Sequence, residues 1–136
     1  MYKFVAVINK KVEPGRARNA LGHMAAGLGN GYPDKQALAF DNYTDKDGSQ
    51  HKSISDNPFI VLKADNGKQI RTLRNALIEK NIYFVDFIDT MIEGTAQEQK
   101  NRTKQTHETN LDYYGICFFG ENEELRELTK KFSLWR

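Results

Sequence analysis

Five consecutive apolar residues, Phe4, Val5, Ala6, Val7 and Ile8, open the chain, and Pro14 follows after a polar connection from Asn9 to Glu13. A short β-branched run with no polar alternation reads as a strand covered on both faces. Pro14 suits the first position of a helix, where its missing N–H is not needed. That helix is predicted to run to about Leu28 and to stop in Gly27, Gly29, Asn30 and Gly31, which offer left-handed backbone. At about 100° per residue, Ala17, Ala20, Leu21, Met24 and Leu28 share an apolar stripe. Arg16, Asn19 and His23 share another side, beside Gly22 and Ala26. Small residues on such a helix let backbones approach, as against a sheet or a ligand. The unit from Tyr2 to Gly31 is therefore the candidate site.

Further along, Ala37–Phe40 is a short strand candidate, and Asp45 to Ser49 carries turn chemistry centred on Asp47-Gly48. Gln50–Asn57 is a return strand or a loop. Phe59–Ala64 is a clear strand, Asp65 or Asn66 caps a helix to about Lys80, and Tyr83–Ile88 is the next strand. A strand–helix–strand unit of that size predicts a parallel pair with a right-handed crossover. Ala96–Thr109 is almost wholly polar and reads as a solvated helix, a loop or a lid. Leu111–Phe119 is the last strong strand. A helix capped by Asn122 follows, with Leu125, Leu128 and Phe132 inward, and Trp135 pins the terminus. The expected fold is one α/β domain over residues 1–136. Its sheet is mixed and mostly parallel, with helices on both faces.

Composition narrows the function classes. The net charge is +2, too small to argue for nucleic acid by itself, although Lys3, Lys10, Lys11, Arg16 and Arg18 crowd the first strand and helix. Cys117 is the only cysteine. It sits in an apolar run and reads as a core residue of a protein kept in a reducing cytoplasm. No apolar stretch approaches the ~20 residues of a membrane span. His23, His51 and His107 are scattered, and no metal-ligand spacing, phosphate-binding loop, dinucleotide fingerprint or nucleophile elbow occurs. No metal or cofactor is expected.

VAVINKKVEPGRARNALGHMAAG resembles the opening of the archaeal and eukaryotic class of peptidyl-tRNA hydrolase (class II). FVDFIDTMIEGT and YYGICFFG are similar to that fold's acidic strand end and final strand. KFVAVINKKVEPG, NALGHMAAGLG and YYGICFFG resemble more closely a group of small bacterial proteins catalogued as the DUF two-thousand family. The resemblance implies a class II-like fold and matches Gly15 to the loop glycine. Arg16 and Arg18 stand where the hydrolases have lysines, Gly22 where they have glutamine, and Ala25 where they have histidine.

Two readings follow. In the first, an ester or amide hydrolase holds its substrate with Arg16, Arg18 and Asn19. His23, Asp86 or Asp89 moves protons, and Thr90 or Thr95 orients water or a carbonyl. In the second, the same scaffold binds a nucleotide, an RNA end or a small anion without turnover. Both need the bend carrying the arginines and the acidic tip near Asp89 to face one hollow, at the carboxyl ends of strands. Tyr32 and Trp135, read as exposed aromatics, suggest a homodimer.

Overall fold

The computed structural model describes residues 1–136. Strand β1 spans Tyr2–Asn9 and helix α1 Pro14–Gly31. An exposed hairpin follows, β2 (Phe40–Thr44) and β3 (Gln50–Ser55). Then come β4 (Phe59–Ala64), α2 (Gly67–Glu79) and β5 (Phe84–Ile88). Helix α3 (Ala96–Lys104), β6 (Tyr113–Glu121), α4 (Asn122–Thr129) and β7 (Ser133–Leu134) complete the chain.

The main sheet has the order β5-β6-β1-β4-β7. The expected mostly parallel sheet is not what forms. Only β1 and β4 pair in parallel, whereas β1 with β6, β5 with β6 and β4 with β7 are antiparallel. The reason lies in the polar segment after β5. Helix α3 buries no residue, so it does not lie on a sheet face and carry the chain across. It turns the chain at one end of the sheet, and β6 returns antiparallel into the slot beside β1. For the same reason β4 and β5 point the same way yet do not pair, being separated by β1 and β6.

Helices do cover both faces. Phe4, Ala6, Ile8, Phe87, Cys117 and Phe119 pack against Ala17, Ala20, Met24 and Leu28 of α1. The alternate residues Val5, Val7, Ile88, Ile116 and Phe118 pack against Ile70, Leu73 and Leu77 of α2 and Leu125 of α4. Cys117 is fully buried, and burial pushes its thiol up to about 12.

Local chemistry fixes the helix ends. Glu13 accepts the N–H groups of Gly15 and Arg16 at the head of α1. Asn66 caps α2 through the Gln69 N–H, and Asn81 ends it at φ 56°. For α4 the cap is Glu121, one residue before Asn122. The hairpin turn is held by Asp45 Oδ1, which accepts from Asp47 and Ser49, with Gly48 at φ 87°. The second strand begins at Phe40, because Ala37 to Ala39 form a turn with Ala39 at φ 53°.

The glycines of α1 do not stop it. The helix continues to Gly31, and none of Gly27, Gly29 and Gly31 has positive φ. Gly31 instead leaves room for the Tyr83 hydroxyl, and Gly27 for Val85. Lys35 Nζ donates to the terminal carbonyls of Gly29 and Asn30. A Cβ at Gly22 would meet nothing within 4 Å. Gly22→Ala is therefore expected to stabilise the protein by roughly 1 kcal/mol, the helix-interior cost of glycine. A thermal melt reads this as a rise in midpoint.

The terminus is tied down by the backbone N–H of Trp135, which donates to Val61 O at 3.0 Å. Neither aromatic invoked for a homodimer is free. Trp135 is half-buried, and Tyr32 packs edge-on against Phe119 and Tyr83 at 5.0 and 5.9 Å between ring centroids.

Candidate functional site

Strand β5 is one edge of the sheet, and α1 covers one of its faces. Beside that face the chain after β5 makes a short turn over Asp89–Met91 and enters α3. Between α1, β5 and α3 lies a hollow of about 880 Å³. Met24, Val85, Phe87, Met91 and Ile92 give it an apolar lining, and Asn19, His23, Gln99, Lys100 and Lys104 add polar groups.

Three residues of the predicted constellation border the hollow: Asn19, His23 and Asp86. Asn19 and His23 both line the hollow from α1, and the His23 ring lies 5.9 Å from that of Phe87. Arg16, one turn earlier, reaches across to Glu93 in the loop after β5, at 3.3 Å. Arg16 thus meets Glu93, whereas Asp89, the residue expected opposite the arginines, bonds to Asp112. Arg18 does not join them, since its Nε donates back to Pro14 O of its own helix at 3.3 Å.

Both aspartate carboxylates are engaged by other partners. Along β5, Val85 and Phe87 face α1, so Asp86 is turned to the opposite side with Phe84 and Ile88. Its carboxylate accepts from Arg74 of α2 at 3.1 Å. Burial raises the Asp86 carboxyl above the ordinary aspartate value despite that guanidinium. Asp89 bonds to the start of β6: its N–H donates to Asp112 O at 3.0 Å, and its Oδ1 accepts the Asp112 N–H at 3.2 Å.

The threonines build the wall. Thr95 caps α3, its hydroxyl accepting the Glu98 N–H while the Glu98 carboxylate accepts the Thr95 N–H at 2.8 Å. Thr90 is buried and its hydroxyl lies 2.6 Å from that of Thr103. Thr103 already donates to Gln99 O, so Thr90 is the donor in that pair. Arg102 adds bonds to the carbonyls of Thr90 and Glu93. These contacts hold α3 over the hollow although the helix buries no apolar face.

The electrostatics are one-sided. Asp86 is taken by Arg74, Glu93 by Arg16, and Glu98 by the cap of α3, which holds its carboxyl below the usual glutamate value. Lys100 and Lys104 form no ion pair. They are the uncompensated charges of the lining. No hydrogen bond joins His23 to Asp86, Asp89 or Thr90. No group of three or more His, Cys, Asp or Glu side chains is placed to hold a metal ion.

Gln99, Lys100 and Lys104 are not among the predicted site residues, their segment reading as a solvated helix, a loop or a lid. Two signals were there: the T-x-x-E capping box from Thr95 to Glu98, and lysines four apart, which share a helix face.

A second depression lies on the α2 side, at the ends of β1 and β4, lined by Asn9, Lys11, Lys68, Arg71 and Asp112 among others. Near it, Glu108 accepts from Arg71 Nε and from the Tyr113 hydroxyl, both at 2.8 Å. Burial and the Glu108 carboxylate raise the Tyr113 phenol to about 12. That network ties the segment after α3 to α2.

The fold recurs in a solved structure of a protein of unknown function from Agrobacterium tumefaciens, at a TM-score of 0.84 and 15% identity. The match covers 99% of this chain and 98% of that one. No curated protein matches. No helix is long and apolar enough to cross a membrane. The family model described as Protein of unknown function (DUF2000) matches residues 2–136, and the chain belongs to that family.

Proposed function

We propose that the protein binds a small amphipathic anion in the hollow between α1, β5 and α3, without turning it over. The observation that carries this reading is the pairing of an apolar floor with two unpaired ammonium groups. Met24, Val85, Phe87, Met91 and Ile92 accept a tail, while Lys100 and Lys104 await a carboxylate or phosphate head. A volume of about 880 Å³ suits a ligand of that kind.

Binding is favoured over hydrolysis because the parts of a proton relay lie apart. His23 has no carboxylate oriented on it, Asp86 serves Arg74, and the Thr90 hydroxyl is spent on Thr103. A general base must reach the proton it takes.

Dodecanoate is the probe, with dodecanol as its uncharged counterpart, both measured by calorimetric titration below their aggregation limits. Dodecanoate is expected to bind at one site and dodecanol more weakly. Exchanging both lysines (Lys100→Gln with Lys104→Gln) is expected to weaken dodecanoate about tenfold, since each exposed charge contact contributes up to about 1 kcal/mol. Equal affinity for acid and alcohol, or an unchanged double variant, sinks the reading.

A further inference from the structure

The sheet has a topological switch between β1 and β4. These two strands are parallel neighbours, yet the chain leaves β1 for α1 on one face and β4 for α2 on the other. A crevice opens outside their carboxyl ends, the position where open α/β sheets take ligands. Here it measures about 490 Å³ and is lined mainly by polar residues, including Lys11, Lys68, Arg71, Thr109 and Asp112. It lies apart from the hollow beside α1 and shares no residue with it.

The charges in this crevice are sorted. Arg71 is committed to Glu108 and to the Leu111 carbonyl. Asn66 accepts the Gln69 N–H at 3.0 Å, capping the start of α2. Lys11 and Lys68 have no ionic partner. Lys10, next to Lys11, is different, being paired with Asp65 at 2.9 Å. Asp112 is the one carboxylate in the lining, its Oδ1 occupying the space that a Cβ on Gly67 would need, and Thr109 is a further lining residue.

Two free ammonium groups beside one carboxylate do not suit a bare anion, which Asp112 would repel. They suit a ligand that carries a phosphate and hydroxyl groups together. Lysine meets phosphate as a compact charge. A carboxylate accepts hydrogen bonds from sugar hydroxyls, as the acidic residue of dinucleotide sites does with ribose. We infer that the crevice between the ends of β1 and β4 is a second binding site, for a sugar phosphate monoester, with Lys11 and Lys68 on the phosphate and Asp112 on the hydroxyls.

Ribose 5-phosphate, inorganic phosphate and ribose are the probes, titrated into the isotopically labelled protein and followed by amide shifts. Ribose 5-phosphate is expected to bind saturably and to move the amides of Lys11, Gly67, Lys68 and Asp112. Inorganic phosphate should bind more weakly and ribose not at all. Lys11→Gln with Lys68→Gln should abolish the response. Asp112→Asn should weaken ribose 5-phosphate while leaving inorganic phosphate as tight as before or tighter. Both lysines are exposed, so an unchanged melting temperature will show that the variants fold.

The inference is overturned if ribose 5-phosphate gives no saturable shift, or if the lysine exchanges leave its affinity unchanged. It is equally overturned if Asp112→Asn weakens both phosphates alike. The dodecanoate titration is independent of each of these results.

Discussion

Gly67→Val is expected to cost about 3 kcal/mol, at the upper end of what overpacking usually does. Gly67 opens α2 and is buried against the start of β6. A Cβ there would fall inside contact distance of Asp112 Oδ1 and 3.1 Å from both the N and the O of Tyr113. A side-chain oxygen can move aside, but the Tyr113 main chain cannot. Its carbonyl accepts from the buried Asn9 side chain at 3.1 Å, and Tyr113 pairs with Ile88 in the sheet. Valine adds two further methyl groups to the same gap. Urea unfolding should show the midpoint falling at unchanged slope. A loss under ~1 kcal/mol, below the usual overpacking range, would mean that α2 sits further from the sheet than described.

Arg74→Met is expected to cost about 3 kcal/mol near neutral pH, because it leaves the Asp86 carboxylate buried without its cation. The pair is poorly hydrated, with side-chain exposures of 25% for Arg74 and 20% for Asp86. Arg74 also lies over the rings of Phe84 and Tyr113, at 5.7 and 5.8 Å, so methionine keeps part of the packing. Burial already raises the Asp86 carboxyl, and Arg74 is what restrains the rise.

The sign of the pH dependence follows. A carboxyl raised in the folded state favours folding at acid pH, below its unfolded value, and loses that contribution as pH rises through the folded value. Without Arg74 the rise is larger. The variant's deficit should therefore be greatest at neutral pH and shrink on acidification. Adding Asp86→Asn should restore most of the lost stability at neutral pH. A deficit that ignores both pH and the second exchange would assign the loss to packing alone.

Much of the fold was legible because its signals are local. The runs Phe4–Ile8 and Phe59–Ala64, the helix start at Pro14, the cap at Asp65 or Asn66, and the Asp47-Gly48 turn each act within a few residues. Strand order was not legible, because it depends on where a connection travels. Nothing in FIVLKA or FVDFI says that β6 and β1 will come between them. The polar segment from Ala96 held the answer, since a helix with no apolar stripe cannot cross a sheet face.

The site divides the same way. Asn19 and His23 followed from the helical repeat of α1. The alternation of Val85, Asp86 and Phe87 put Asp86 opposite its neighbours, but which face carried α1 was a tertiary fact. The glycines from Gly27 to Gly31 misled because glycine serves both left-handed backbone and close approach. Only the position of Tyr83 tells the two apart.

The hollow beneath α3 is tested most directly by titrating dodecanoate into the labelled protein and mapping the amide shifts. Saturable changes are expected at Asn19, His23, Phe87, Gln99, Lys100 and Lys104. Changes confined to the β2–β3 hairpin, or none that saturate, would contradict binding in the hollow.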